Sequence, residues 1–185
     1  SGRARNIQLA ASLLDGTRIA PSGEVSFNEI VGERSLDRGF MPAAELANGR
    51  RVDGVGGGVC QVAATLHAAT FFAGFEVVEH HPHSRNTRYI SPGLDTAVVW
   101  RMKDLRMRNP YPHHIMVRAS SDGGTLRVEL LGPRRGPRVE WNTRTLRRIA
   151  RGTRRIVDSS LAPGQERVED DGEDGSVLER SRRVF

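Results

Sequence analysis

Apolar side chains recur at helical spacing in two stretches of this 185-residue sequence. Over residues 4–14, apolar positions three and four apart predict an amphipathic helix, which Asp15-Gly16 ends. The same spacing starts again at Val59 and predicts a second helix that runs to about Phe72. Because each helix has an apolar face, both are expected to pack on a sheet.

Shorter apolar and β-branched runs outside these helices predict strands. They cover residues 25–30, 75–79, 87–90, 96–102, 114–120 and 125–131, with Asp122-Gly123-Gly124 as a hairpin turn. A segment led by a proline, residues 42–47, predicts one helical turn. The predicted fold class is α+β, with two main helices packed on a mostly antiparallel sheet that is built largely after residue 75.

The composition changes after Gly132-Pro133. Residues 134–155 carry nine arginines and one acid, whereas residues 169–175 are mostly acidic. The β-like pieces of this part are residues 139–143, 153–158 and 176–185. Since so few residues cannot hold a large core, we predict one domain over residues 1–133 and a basic, then acidic, β-rich extension over residues 134–185.

The arginine-rich stretch accounts for the net charge of +6 and raises the question of nucleic-acid binding. It holds a single aromatic residue, Trp141, and no recognition motif, so no nucleic-acid partner is predicted. A solvated basic face, or attraction to an anionic polymer such as a cell wall, accounts for it better. The chain shows neither the roughly 18 consecutive apolar residues of a membrane helix nor a signal peptide.

The only cysteine of the chain, Cys60, follows three consecutive glycines at the start of the second predicted helix. A helix N-terminus favours an anion such as a thiolate, and bare backbone N–H groups beside it can form an oxyanion hole. The same glycines would suit a phosphate, but the Walker spacing and its lysine are absent. A packing cysteine would not need Gly56-Gly57-Gly58 before it, so we interpret Cys60 as a nucleophile.

A cysteine nucleophile needs a base, which is usually a histidine. His67 lies two helical turns beyond Cys60, roughly 10 Å along the axis, which is too far for a hydrogen bond. The loop His80-His81-Pro82-His83 is the better source of a base. Ser84 and Asn86 follow it and can hold an imidazole in one tautomer.

The histidine loop leaves other interpretations open. His80 and His83 form an H-x-x-H pair, which would bind zinc with a third ligand from Cys60, His113 or an acid. Three histidines within four residues can also be a surface accident. Asp95, at the start of a predicted strand, could orient a catalytic histidine or could bond its own backbone in a turn.

Seven short motifs then occur in a fixed order along the chain. They are Arg5-Asn6-Ile7, Gly23-Glu24-Val25-Ser26-Phe27-Asn28, Gly56-Gly57-Gly58-Val59-Cys60-Gln61-Val62, Thr65-Leu66, His83-Ser84, Gly93-Leu94-Asp95 and Asp104-Leu105-Arg106. In this order they resemble the VanW-like domain, which is named for an accessory protein of glycopeptide-resistance clusters. The resemblance covers about residues 4–132. The extension beyond it weakly resembles the G5-like segment that often follows such domains.

The resemblance implies an extracytoplasmic protein that works on the cell wall, with its signal or anchor outside this chain. Some members of the family are regarded as L,D-transpeptidases that make 3-3 cross-links in peptidoglycan through a cysteine nucleophile. Carried onto this sequence, the nucleophile is Cys60 and the base is His83, to which the residue pattern adds Asp95. The partners implied are peptidoglycan stem peptides, and no cofactor is implied.

In this chemistry the Cys60 thiolate attacks the amide after the third residue of a tetrapeptide stem, and D-alanine leaves with a proton from His83. The candidate oxyanion contacts are Gly57, Gly58 and Gln61, and the candidate substrate contacts are Ser26, Ser84 and Tyr89. Two alternative functions stay open. One is a non-enzymatic peptidoglycan-binding module, and the other is a metal-dependent hydrolase that uses His80 and His83.

Overall fold

The computed structural model of the chain describes residues 1–47, 50–85 and 87–185. In this described part the helices are α1 (Gly2–Leu14), α2 (Phe27–Val31) and α3 (Val59–Phe72), with a 3-10 turn at Leu36–Arg38. The strands are β1 (Arg18–Ile19), β2 (Glu24–Ser26), β3 (Pro42–Ala47), β4 (Arg50–Val55), β5 (Glu76–Glu79), β6 (Arg106–Arg108), β7 (Ile115–Ser121), β8 (Leu126–Leu131), β9 (Val139–Ile149) and β10 (Gly175–Val184). The predicted α+β class is confirmed.

The strands of the described residues form four small sheets rather than one. β1, β7 and β8 make one sheet and β2, β6 and β5 another, whereas β3 pairs with β4 and β9 with β10. The early strands pair antiparallel with late ones, so that Ile19 lies opposite Ile115 and Val25 opposite Met107. These long-range pairings tie the N-terminal part of the chain to the strands that follow α3.

The core lies where the two main helices meet the sheets. α1 contacts α3 and β7, and α3 contacts β8. The fully buried apolar residues of α1 and α3 are Ala10, Ala11, Leu14, Val62, Ala63, Ala64 and Leu66. The small side chains among them let the two helices approach closely. None of the helices in the described residues is long and apolar enough to cross a membrane.

The helical turn predicted for residues 42–47 is wrong. These residues form β3, which pairs in register with β4 from Pro42 opposite Val55 onward. Alanine and glutamate favour a helix locally, but pairing with a neighbouring strand overrides this preference. Pro42 is compatible with the strand because it is the first residue of β3, where the N–H that proline lacks is not needed for a hydrogen bond within the ladder.

Other predicted strands are shorter than expected or absent. The strand predicted at residues 25–30 ends at Ser26, whose side chain accepts a hydrogen bond from the Glu29 N–H and caps α2. Residues 87–90 form no strand, and residues 96–102 contribute only an isolated bridge between Val99 and Lys103. That bridge closes a tight turn beside the candidate site rather than extending a sheet.

The chain divides into two compact units, one of Ser1–Glu140 with Arg182–Phe185 and the other of Trp141–Ser181. In the first unit, Arg182 donates to the carbonyl oxygens of Phe71, in the last turn of α3, and Phe75, just after it. A cation at this end of α3 also suits the helix dipole.

The second unit is largely exposed. It is built on β9 and β10, and the Arg180 guanidinium lies 4.5 Å from the centre of the Trp141 ring. The strand predicted at residues 153–158 does not form. The domain boundary at residue 133 stays a prediction.

Candidate functional site

An open cleft of about 1410 Å³ lies at the N-terminal end of α3. Its lining includes the glycine segment, the start of α3, the histidine loop and the turn of residues 97–103, namely Gly56, Gly57, Gly58, Cys60, Gln61, His83, Ser84, Tyr89, Val98, Trp100 and Lys103. This volume exceeds that of a typical drug-sized pocket, so the cleft has room for an extended peptide.

The glycines before Cys60 let the backbone pass close to β3. Gly58, the N-cap of α3, has a φ of 110°, a conformation that favours glycine. A Cβ at Gly57 would lie 2.5 Å from the carbonyl oxygen of Ala44 and would push the two segments apart. The glycines are therefore needed to form the cleft wall, whether or not a substrate also approaches them.

Asn6 of α1 holds this wall in place and was not among the predicted site residues. It is fully buried, and its Nδ2 donates to the carbonyl oxygens of Gly57 at 3.0 Å and Met41 at 2.9 Å. Its Oδ1 accepts from the Met41 N–H at 2.7 Å. In the sequence, Asn6 could have been identified as a polar residue on the apolar face of the first predicted helix, four positions before Ala10.

Cys60 is the second residue of α3 and is half-buried. Its thiol lies 3.7 Å from the Val98 carbonyl oxygen, to which it can donate. The first hydrogen bonds of the helix come from the Val59 and Gln61 N–H groups, and within the described residues the Cys60 N–H has no acceptor. A free N–H next to a thiol is a group from which an oxyanion hole can be built.

His83 and Asp95 form a buried pair beside this thiol. Their side chains are 6% and 9% exposed, and the His83 Nδ1 lies 3.2 Å from the Asp95 Oδ2. The same carboxylate accepts from the backbone N–H groups of His83 at 2.8 Å and Gly93 at 2.9 Å. Since Nδ1 is occupied by the carboxylate, Nε2 is the nitrogen that remains for Cys60.

The charges of the pair follow from these contacts. Burial by itself would lower the pKa of His83, but hydrogen bonds and charge interactions with Asp95 and Cys60 outweigh it and raise the pKa to about 9. Burial would raise the pKa of Asp95, yet His83 and the backbone N–H groups lower it to about 2. At neutral pH the site therefore holds an imidazolium and a carboxylate.

A second pair of histidines lies on the α3 side of Asp95. The His80 Nε2 lies 2.7 Å from the backbone carbonyl oxygen of Asp95, and its ring centre is 4.3 Å from that of His67. The His67 Nδ1 lies 2.9 Å from the Leu94 carbonyl oxygen, and burial lowers the pKa of His67 to about 4. His67 is therefore a neutral, buried packing residue.

Most of the predicted site residues lie together. Gln61, Ser84 and Tyr89 line the cleft with Cys60, and the Gln61 Oε1 accepts from the Arg3 Nη2 at 2.9 Å. Burial, and then the charges of Cys60 and Asp95, raise the pKa of Tyr89, so its phenol stays protonated. Asn86, the predicted tautomer-holding residue, lies outside the described residues.

Ser26 is the exception, because the structure does not bring it to the cleft. Its hydroxyl donates to the Asp104 Oδ2 and caps α2, and the residue is 5% exposed. Asp104 also accepts from the backbone N–H groups of Asn28 and Leu105. This hydrogen bond joins the start of α2 to the segment before β6, and a substrate contact at Ser26 stays a prediction.

Arg34 lines the cleft as well and was missed by the sequence. It lies in an irregular segment where no periodicity distinguishes it from the many other arginines of the chain.

Among the residues that the structure describes, no group of three or more His, Cys, Asp or Glu side chains is placed to hold a metal ion. His80 is bonded to the Asp95 carbonyl, and His113, a predicted third ligand, stacks on the Tyr111 ring with the centres 5.4 Å apart.

Comparison with known proteins adds a family to this geometry. A family model described as "VanW like protein" matches residues 2–131. The chain is 38% identical over 128 residues to "Uncharacterized protein YoaR" of Bacillus subtilis (strain 168), a match that covers 69% of the chain and 42% of that relative. The chain thus spans less than half the length of this relative. No solved structure matches the chain significantly. The family match supports a protein associated with the cell wall.

Proposed function

Because this chain belongs to the VanW-like family, we propose that it is a peptidoglycan-modifying cysteine acyl-transferase that works outside the cytoplasm. The reaction proposed is that of an L,D-transpeptidase, which forms 3-3 cross-links through a thioester on Cys60. The observation that carries the proposal is the buried His83, held between the Asp95 carboxylate and the Cys60 thiol at the edge of an open cleft. A nucleophile, a base and an orienting acid in this order are the parts of a cysteine acyl-transfer site.

In the first step, the Cys60 sulfur bonds to the carbonyl carbon of the third residue of a tetrapeptide stem. The amide C–N bond breaks, and the nitrogen of the departing D-alanine takes a proton from the His83 imidazolium. Because the pKa of His83 is about 9, close to that of an α-amine, the proton is available at neutral pH and its transfer is nearly balanced.

During this step the carbonyl oxygen acquires negative charge that the protein must stabilise. The Cys60 N–H, free among the described residues, is the first candidate donor. The Gly58 backbone and the Gln61 side chain lie beside it on the cleft wall. Removing one such donor typically slows an enzyme about 10²–10³-fold.

In the second step, the side-chain amine of another stem, neutral after its ammonium form has lost a proton to solvent, attacks the thioester carbonyl carbon. His83, now neutral, takes a proton from this amine, and the Cys60 thiolate leaves as the new amide forms. Glu33 and Glu45 add two carboxylates to the lining of the cleft, which suits the approach of a cationic acceptor. Atoms and charges then return to the starting state.

The direct test is to capture the thioester. The purified chain, incubated with a disaccharide-tetrapeptide, should gain the mass of the disaccharide-tripeptide less one water on Cys60, and hydroxylamine should remove it. Cys60→Ala should form neither this adduct nor cross-linked product, while Cys60→Ser should keep the fold and lose nearly all activity because a hydroxyl is rarely ionised.

A matched control is His113→Gln, which removes an imidazole that does not line the cleft. It should leave the rate of adduct formation unchanged. If Cys60→Ala cross-linked muropeptides as fast as the unchanged chain, the acyl-transferase would be refuted. Salt-sensitive binding to sacculi that persists in Cys60→Ala, with no turnover by either form, would favour a peptidoglycan-binding module instead.

A further inference from the structure

Arg34 lies in the wall of the cleft that contains Cys60 and is held there by several contacts. Its Nη1 donates to the Gly32 carbonyl oxygen at 2.9 Å, and its guanidinium carbon lies 5.5 Å from the centre of the buried Phe27 ring. A Cβ at Gly56 would lie 2.8 Å from the Arg34 Cβ, so the glycine segment packs directly on the arginine. The guanidinium is thus pre-organised by an aromatic face, a carbonyl and the cleft wall.

The guanidinium of this arginine is only partly hydrogen-bonded within the described residues. Its Nη2 is buried and has no hydrogen-bond partner there. The carboxylate that most affects it, Asp104, already accepts hydrogen bonds from Ser26, Asn28 and Leu105. A buried guanidinium nitrogen without an acceptor is costly unless a ligand supplies one.

The arginine and the nucleophile interact electrostatically. Burial lowers the pKa of Arg34, and the charges of Cys60 and Asp104 oppose that effect. The other cationic side chains of the cleft are engaged or exposed, since the His83 imidazolium pairs with Asp95, Arg3 donates to Gln61 and Lys103 lies at the surface. Arg34 is therefore the cation best placed to meet an anionic group of a molecule that reacts at Cys60.

We propose that Arg34 binds the terminal carboxylate of the acyl donor, the group that leaves with D-alanine. This inference rests on the proposed function, in which Cys60 attacks the last amide of a tetrapeptide. In that substrate the carboxylate carbon is three bonds from the attacked carbonyl carbon, so both must lie in one short stretch of the cleft. The planar guanidinium matches a carboxylate with two parallel hydrogen bonds.

The consequence is a rule for substrate choice. A tetrapeptide brings its carboxylate to Arg34 when its last amide faces Cys60. A pentapeptide attacked at the same amide would carry its carboxylate one residue further away, and an internal amide would offer none. Arg34 is thus a specificity-determining residue that selects tetrapeptide donors.

The anion site is tested without any turnover by alkylating Cys60. Iodoacetate and iodoacetamide form the same C–S bond and release the same iodide, but iodoacetate carries a carboxylate. Arg34→Gln should lower the ratio of the iodoacetate rate to the iodoacetamide rate about tenfold, as expected for the loss of one charged hydrogen bond. Lys103→Gln removes the same charge from the cleft and should change the ratio less than about twofold.

The second measurement uses the unchanged chain, so it does not depend on the variants folding. Thioester formation is compared for a tetrapeptide acid and for its C-terminal amide, which should react at least about tenfold more slowly. Equal rates for the two donors would overturn the role of Arg34, and so would an unchanged alkylation ratio in Arg34→Gln. If neither donor forms a thioester, the acyl-transferase fails, while the alkylation ratio still decides whether Arg34 binds a carboxylate beside Cys60.

Discussion

Two buried histidines, His83 and His67, lie on opposite sides of Asp95 and are in opposite charge states. On the cleft side, His83 contacts the Asp95 carboxylate and interacts with Cys60, and its pKa is raised to about 9. On the α3 side, His80 contacts only the backbone carbonyl oxygen of Asp95 and stacks on His67, whose pKa is lowered to about 4. One residue thus separates an imidazolium from a neutral imidazole.

Burial cannot account for this difference, because it lowers the pKa of both His67 and His83. What differs is the set of groups in contact with each ring. A carboxylate and a thiol meet His83, whereas His67 meets a carbonyl oxygen and another imidazole. A buried histidine becomes a proton donor at neutral pH only where a nearby anion offsets the unfavourable desolvation of its positive charge.

Removal of the carboxylate should have the largest effect. Asp95→Asn leaves the volume of the side chain but offers His83 an amide, which favours the wrong tautomer and does not stabilise the imidazolium. We expect thioester formation to slow about 10³-fold or more. The rate is measured by mass spectrometry of the Cys60 adduct.

Asp122→Asn is the control for this substitution, because Asp122 also accepts two backbone N–H bonds but lies in an exposed hairpin turn. It should keep the rate of the unchanged chain. If Asp95→Asn kept that rate as well, the two sides of Asp95 would not differ in function.

His67 should dominate the acid side of the stability profile. Its pKa is about 4 when folded and about 6.5 when unfolded, so the unfolded chain binds more protons between these values. The stability that neutral His67 contributes is present above pH 6.5 and lost as the pH falls towards 4, by about 3 kcal/mol.

Urea unfolding of the unchanged chain and His67→Gln at pH 7 and pH 4.5 measures this loss. The variant should be less sensitive to acid, and His81→Gln, at a half-exposed histidine paired with Glu79, should retain the full sensitivity. Equal acid sensitivity of all three proteins would mean that His67 is not held neutral by the fold.

His83 should dominate the alkaline side of the activity profile. Because its folded pKa is about 9, the imidazolium that protonates the leaving amine persists to that pH and is lost above it. We expect the rate of thioester formation to fall about tenfold per pH unit beyond pH 9. In Asp95→Asn the residual activity should decline from a lower pH, since the largest favourable contact of the imidazolium is gone.

The sequence predicted the elements that carry a long repeating pattern. The two main helices were found because apolar positions recur at helical spacing over several turns in α1 and α3, and a glycine follows each helix. β1 and β6 have two and three residues, too few to show an alternation, and they exist because later or earlier strands pair with them. β3 was mistaken for a helical turn because its partner strand decides its conformation.

In the candidate site, too, the sequence identified the residues that have a local pattern and missed those that depend on distant contacts. Cys60 was singled out by its local glycines, and the family resemblance directed attention to His83; the structure brings both together with Asp95. Asn6 and Arg34 act through contacts with residues far away in the chain or through the absence of a partner. The sequence marks Asn6 only as a polar residue on the apolar face of the first helix and does not mark Arg34 at all, so the contacts of both appear only in the folded chain.

The smallest effect is expected at His80, and it is the sharpest check of the comparison. Its ring bonds to the backbone of Asp95 and not to the carboxylate, so His80→Gln should leave the charge of His83 and the rate of thioester formation almost unchanged. Loss of the hydrogen bond should cost about 1 kcal/mol of stability, measurable by urea unfolding at pH 7. A rate as low as that of Asp95→Asn would show that the α3 side takes part in the chemistry, and the division at Asp95 would have to be abandoned.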